Sequence, residues 1–128
     1  MDQKGLFSAV ADRTKLSHEE SADLTRAVLE GLSEQMSEGE AKRLATGLPQ
    51  QLSAPLLALR RRGKEAHPIR VEDFAKQLSK RTGLPVPDTR TGTGAVIAVL
   101  RDALGEEEYG HIVGQLPDEY AALSGSRR

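Results

Sequence analysis

The sequence predicts an all-α protein, a helical bundle made of two repeated units of about four helices each and related by a pseudo-twofold axis. Three observations carry this prediction. Aromatic residues make up 3% of the 128 residues and tryptophan is absent, so the core must consist mainly of aliphatic side chains. That composition favours helices over strands. Leucine and valine recur at helical spacing, and one half of the chain repeats the other.

The internal repeat emerges when the sequence is compared with itself at an offset of 68 positions. The segment RAVLEGLSEQMSEGEAKRLATGLP, residues 26–49, then aligns without a gap with GAVIAVLRDALGEEEYGHIVGQLP, residues 94–117. Seven positions of these two segments are identical, including a shared Leu-Pro pair, and four more identities lie upstream in the same register, at Arg13, Thr14, Leu16 and Thr25. Ordinary composition gives roughly one match in fifteen. We therefore interpret residues 4–57 and 70–123 as two copies of one unit.

The chain is long enough for one ordinary core, or for two small halves that share one. We therefore expect a single domain over residues 1–128. A basic linker with glycine and proline breaks, residues 58–69, joins the two units. Residues 124–128 are expected to form a disordered tail.

Charge and cysteine content limit the classes of function. Lys and Arg total 18 against 19 Asp and Glu, so no global field draws the chain to nucleic acid or anionic lipid. Without cysteine there is no disulfide, thiol nucleophile or thiolate metal site. The N-terminus lacks the apolar core of a signal peptide, and no run of about 18 apolar residues occurs. We expect a cytoplasmic protein that does not associate with membranes.

The helices of the first unit are predicted from apolar spacing and capping residues. The first covers about residues 5–15. A serine followed three residues later by glutamate starts both the second helix, residues 17–36, and the third, from residue 37. The Leu-Pro pair after the third predicts a sharp corner. A fourth helix from about Gln50 is predicted to be interrupted by Pro55.

The second unit is predicted to repeat this order. Its first helix covers residues 71–82 and stops at Gly83. The second begins after Pro87-Asp88 and ends near Leu104, and the third opens with an acidic turn that suits the helix dipole. The last helix, residues 118–123, is short.

The segment TRTGTGAVIAVL, residues 89–100, has the paired glycines of a phosphate-binding loop. A dinucleotide-binding fingerprint needs a preceding apolar strand and a third glycine, and a P-loop needs GK[ST]; this segment has none of them. In the repeat register it aligns with the helical segment SADLTRAVLEGL, residues 21–32. The glycines are therefore predicted to lie in the first turns of a helix and to let a neighbouring helix approach. Anion binding at the N-terminus of that helix stays open.

Several features together resemble a known bacterial family, domain of unknown function 2267. They are Phe or Leu near the unit start, VL or VI in the second helix, an acidic start of the third helix, the repeated LP corner, and HP before the second copy. The resemblance covers about Leu6 to Leu123. It implies a small helical bacterial protein and carries no established activity or catalytic residue. The Gly/Thr-rich start of the second helix in the second copy departs from the doubled pattern.

The three histidines do not form a catalytic or metal-binding motif. His18 lacks the second histidine of HExxH, and His67 precedes a proline in the linker. His111 follows Glu107 by four residues, so both lie on one helical face, where a surface contact is a simpler interpretation than a metal site. No serine lies in a GxSxG or SxxK motif. We predict no catalytic residue, metal or cofactor.

The linker contains the strongest local charge cluster. Its residues Arg60, Arg61, Arg62 and Lys64, together with Arg81, are the candidate anion-binding or partner-binding residues. A solvated linker at the end of a helix is the competing interpretation. Arg13 and Arg81 occupy equivalent positions in the repeat. They could form a symmetric anion site or pair with carboxylates of nearby first helical turns, such as Glu19, Glu20 or Asp88.

Three functional hypotheses follow. The leading one is a non-enzymatic helical interaction or scaffold module that binds a protein partner or another copy of itself, through the groove between the repeats or the basic linker. The second is nucleic-acid or anionic-ligand binding through the basic linker. The third is a small enzyme in which His111 or His18 converges with carboxylates.

Overall fold

The structure, a computed structural model, describes residues 2–59 and 67–125, which form eight α-helices and no strand. The all-α prediction is therefore confirmed. Before residue 60 the helices are α1 Gln3–Asp12, α2 His18–Glu34, α3 Glu38–Thr46 and α4 Gln50–Leu59. After residue 66 they are α5 Val71–Thr82, α6 Val86–Leu104, α7 Glu106–Gly114 and α8 Glu119–Leu123. None of these eight is long and apolar enough to cross a lipid bilayer.

Helices α2 and α6 occupy the centre of the bundle. α6 contacts α1, α2, α5, α7 and α8, while α2 contacts α1, α3, α4, α5 and α6. Every residue of α6 from Gly92 to Leu100 is buried, so this stretch is covered on all sides. One hydrophobic cluster runs through both halves of the chain and includes Leu24, Val28, Val96 and Leu100. Burial of apolar surface around this central pair is the main stabilising contribution to the fold.

The first helix lies two to three residues upstream of its predicted position. Asp2 starts it early, because its carboxylate accepts the Gly5 backbone N–H at 2.8 Å. The helix ends at Asp12, and not near Lys15 as predicted. Beyond that end, the Thr14 hydroxyl donates to the Val10 carbonyl at 3.1 Å, so a side chain satisfies a terminal carbonyl where the helix stops.

The serine caps predicted at the starts of α2 and α3 are both present. At Ser17 the capping box is complete: its hydroxyl accepts the Glu20 N–H at 3.1 Å, and the Glu20 carboxylate accepts the Ser17 N–H at 2.9 Å. Ser37 accepts the Glu40 N–H at 3.3 Å, but the Glu40 carboxylate points towards α7. Helix α2 ends at Glu34, two residues before its predicted end.

Two prolines affect their helices differently from the prediction. Pro55 lies inside α4 without interrupting it, so the expected break is wrong. Pro55 and the preceding turn at Gln51 are exposed, so water can satisfy the carbonyl that loses its helical partner. Helix α6 begins at Val86, before the predicted start, because Pro87 fits a first helical turn, where its missing N–H removes no bond. Gly83 ends α5 with φ 80°, as predicted.

The paired glycines of α6 lie where neighbouring chain segments touch the helix. A Cβ at Gly92 would overlap a methyl group of Leu24 on α2, and a Cβ at Gly94 would overlap the backbone carbonyl of Leu123 on α8. Gly31 has the same role in α2, because a Cβ there would overlap the Phe74 ring. The prediction that the glycines let other helices approach is confirmed. Their function in this fold is packing.

A buried hydrogen-bond network joins the end of α2, the start of α5 and the last helix. The Gln35 carboxamide accepts the Ile69 N–H at 2.9 Å and donates to the Tyr120 hydroxyl at 3.1 Å. Tyr120 in turn donates to the Ile69 carbonyl at 2.8 Å. Two side chains thus satisfy both backbone groups of Ile69. Burial raises the pKa of Tyr120 to about 12.

Helix α5 takes its N-terminal cap from α8. Arg70, at the N-cap position, makes no side-chain capping bond. Instead, the Glu119 carboxylate accepts the Val71 N–H at 3.1 Å and lies 3.5 Å from the Arg70 guanidinium. At the other end of α8, Ser124 and Gly125, which were assigned to a disordered tail, form its terminal turn. Ser124 is buried and its hydroxyl donates to the Ala121 carbonyl at 2.7 Å. Residues 126–128 lie outside the described residues.

Replacing Gly94 by Ala should lower the free energy of unfolding by about 1–3 kcal/mol, because the added methyl meets the backbone of Leu123, which cannot rotate away. Urea unfolding measures the change. Gly110→Ala is the matched control, since nothing lies within 4 Å of a Cβ at this helical position. It should raise stability by about 0.5–1 kcal/mol. Equal effects of the two substitutions would contradict the packing role of Gly94.

Replacing Tyr120 by Phe should lower the free energy of unfolding at neutral pH by about 1–3 kcal/mol, because Gln35 and Ile69 each lose a buried partner. The Tyr120 pKa is raised from 10.0 to about 12, so the hydroxyl's contribution is complete below pH 10 and falls as the pH rises towards 12. The difference between the natural protein and the Phe variant should therefore shrink over this range. Urea unfolding at several alkaline pH values tests this, and a constant difference would contradict it.

Candidate interaction surface

Most of the predicted basic cluster cannot be placed on the structure. Arg60, Arg61, Arg62 and Lys64 lie outside the described residues. Arg81 lies in the last turn of α5, and its guanidinium forms an ion pair with Glu30 of α2. Within the described part of the chain, Arg81 therefore joins two helices of the core.

The repeated arginines pair with carboxylates, but not with those expected. The Arg13 guanidinium lies 3.2 Å from the carboxylate of Asp102 on α6, and Arg81 pairs with Glu30 on α2. The suggested partners in nearby first turns, Glu19, Glu20 or Asp88, are wrong. The reason is tertiary: α1 packs across α6 and α5 packs across α2, so each arginine meets the side of a central helix.

A polar cleft of about 410 Å³ lies between the end of α1 and the first turns of α6. Arg13 and Lys15 line it together with Asp12 and Asp88. An anion that entered the cleft would meet two carboxylates as well as two cations, one of which is already paired with Asp102. This arrangement does not favour the symmetric anion site that the sequence left open.

His111 contacts a different helix from the one predicted. Its Nδ1 lies 3.8 Å from a carboxylate oxygen of Glu40 on α3, across the contact between α3 and α7, whereas the sequence suggested Glu107 on its own helix. His18 and His67 are exposed. Over residues 2–59 and 67–125, no three His, Asp or Glu side chains converge in a group that could hold a metal ion.

Beside this histidine, Arg43 and Glu108 form a two-pronged ion pair between α3 and α7. Arg43 donates from Nε at 2.9 Å and from a terminal nitrogen at 2.8 Å, one bond to each carboxylate oxygen. These bonds hold the pKa of Glu108 below its usual range. The ion pair therefore joins two short helices, α3 and α7.

The outer face of α4 differs in chemistry from most of this charged molecule. No Asp, Glu, Lys or Arg occurs from Leu44 to Leu59, the longest uncharged run in the sequence. Leu52 and Leu56 face the core, while Ala54, Pro55 and Leu57 are exposed. Leu57 has 45% of its surface exposed and is the large hydrophobic residue that the described chain leaves in solvent. We call Ala54, Pro55 and Leu57 the α4 face.

A cleft of about 80 Å³ lies beside the α4 face, between α4 and α2. Leu29, Leu52, Pro55 and Leu56 supply its apolar lining; Arg26, Glu30 and Gln51 complete it. In the repeat register Arg26 takes the position of Gly94, the residue that lets α8 close onto α6. The α4 face and this cleft form one continuous candidate surface.

This surface was not predicted from the sequence. Periodicity alone does not show which of the neighbouring residues Leu56 and Leu57 faces the core at the end of a short helix. The uncharged run of residues 44–59 was the available signal. An exposed helix in a chain with 29% charged residues would ordinarily carry charges on its outer face.

Replacing Arg43 by Gln should raise the pKa of Glu108 towards its usual value, because the two bonds to the guanidinium are lost. In the natural protein the Arg43–Glu108 pair stabilises the fold at pH values above the pKa that Glu108 has in the unfolded chain. This stabilisation is lost as the pH falls through the lower pKa that Glu108 has in the folded protein. A carboxyl NMR titration measures the change. Lys42→Gln, which removes an exposed neighbouring charge of the same sign, should leave the Glu108 pKa nearly unchanged. Equal effects of the two variants would contradict this assignment.

Comparison with known proteins supports the family identified from the sequence. No curated protein matches the chain. A family model described as "Uncharacterized conserved protein (DUF2267)" matches residues 4–123, which include all but the first residue of α1 and the whole of α8. The chain therefore belongs to the DUF2267 family of uncharacterized conserved proteins.

Proposed function

We propose that the protein is a helical interaction module that acts without catalysis and binds a protein through the α4 face and the adjoining cleft. The observation that carries the proposal is the exposure of Leu57 on a helix without charged residues. Exposed apolar surface costs free energy in water, and a contiguous patch of it beside a cleft is typical of a contact site. The cleft between α1 and α6, by contrast, is lined by four charged side chains, Asp12, Arg13, Lys15 and Asp88, whereas four of the seven residues that line the α2–α4 cleft are leucine or proline.

The repeat organisation supports this assignment. We propose that the two units are related by a pseudo-twofold axis between α3 and α7. In the register of 68, Arg43 corresponds to His111 and Glu108 to Glu40, so the Arg43–Glu108 and His111–Glu40 contacts are equivalent pairs that cross from one unit to the other. Against this background α4 and α8 are counterparts that differ. α8 is closed onto α6, and α4 retains an open cleft.

The rival proposal of nucleic-acid or anionic-ligand binding depends on residues 60–64, which lie outside the described structure. In the described part of the chain, the arginine assigned to it, Arg81, is engaged by Glu30. No contact of a described residue favours this rival over protein binding. Nucleic-acid or anionic-ligand binding stays a prediction from the sequence.

A photo-crosslinking amino acid in place of Ala54 should capture a protein in living cells, because Ala54 lies on the α4 face and its side chain supports no core contact. The same amino acid in place of Ala103, an exposed position on α6, is the control and should capture much less. Electrophoresis of the irradiated cells shows the products as bands of increased mass. Capture that is absent at both positions, or equal at the two, would overturn the proposal.

A further inference from the structure

We propose that the occupant of this surface is a second copy of the same chain, with Leu57 of each copy inserted into the α2–α4 cleft of the other. This inference rests on the proposed function and names its partner. The contact is isologous: each copy supplies the same exposed side chain and the same cleft. In this dimer the exposed Leu57 fills the open cleft, and these are the two features that distinguish α4 from α8.

The cleft has the size and lining for the side chain of Leu57. An apolar cavity of about 150 Å³ accommodates benzene, a ring of six carbons. The α2–α4 cleft measures about 80 Å³ and has Leu29, Leu52 and Leu56 among its lining residues. It therefore suits the four-carbon side chain of a leucine. Leu57, with 45% of its surface exposed, is the described large hydrophobic side chain available to fill it.

The position of Leu57 next to the cleft permits a reciprocal contact. Leu56 lines the cleft, and Leu57 is its neighbour in α4. A twofold axis that passes close to α4 would bring Leu57 of each copy to the cleft of the other. Ala54 and Pro55 have short or compact side chains, so two α4 helices can approach closely at this face.

Charge favours a second copy over a strongly charged partner. The α4 face carries no ionisable group, so pairing it with itself opposes no like charges. The charged residues at the cleft are one cation, Arg26, and one anion, Glu30, whose own partner is Arg81. The net charge of -1 per chain adds almost no long-range repulsion between copies.

Sedimentation of the purified chain from about 1 μM to about 1 mM, the range in which weak dimers dissociate, tests the proposal. The natural protein should show a monomer–dimer equilibrium. Leu57→Asp should raise the dissociation constant by about 30-fold or more, the effect expected when a charge replaces a central apolar anchor. Gln51→Phe should also weaken the dimer, because its ring fills the cleft from the rim. Ala103→Asp, the matched control, should leave the dissociation constant unchanged.

The outcomes separate this inference from the proposed function. A natural protein that stays monomeric at every concentration, or a dimer unaffected by Leu57→Asp, overturns the second copy as the occupant. If a crosslinker at Ala54 then captures a different protein, the interaction module stands and only its partner changes. If the chain is monomeric and that crosslinker captures nothing, both proposals fall. Unfolding curves confirm that each variant folds, as expected for substitutions at exposed residues.

Discussion

The bundle depends on close contact between its two central helices and their neighbours. Interiors are packed at the density of organic crystals, so one extra methyl group matters where backbone meets backbone. Glycine provides the necessary space at Gly92 and Gly94 in α6 and at Gly31 in α2, where a leucine side chain, a backbone carbonyl and an aromatic ring occupy the positions that a Cβ would take. Few aromatic residues are needed in such a core, and the two rings Phe74 and Tyr120 meet edge to face at 5.8 Å.

The polar network around Ile69 determines how the second half of the chain joins the first. Gln35 at the end of α2 and Tyr120 in α8 satisfy the backbone of Ile69, and Glu119 caps the first residue of α5. Helix α8 has five residues, too few to be stable as an isolated helix. Its stability comes from these bonds and from its contact with α6 at Gly94. Helix α8, although short, therefore connects the end of α2 to the start of α5.

Helices α4 and α8 differ in how they pack against the two central helices. α8 meets the backbone of α6 at Gly94, whereas a cleft with Arg26 in its lining lies between α4 and α2. Exposed leucine on an uncharged helix next to that cleft is surface that a partner can cover. Several ion pairs of the described residues join one helix to another, such as Arg43 with Glu108. Its apolar surface is what distinguishes the candidate site.

The sequence alone determined the helical class, the serine caps of α2 and α3, the stop at Gly83 and the packing role of the paired glycines, because each follows from local backbone chemistry or from helical spacing. Tertiary structure decided the rest. Arg13, Arg81 and His111 found partners on helices far away in the chain, which no local spacing specifies. Glu119 capped α5 from the other end of the sequence. The candidate surface depends on which side of α4 faces the core, and packing against α2 and α3 determines that side.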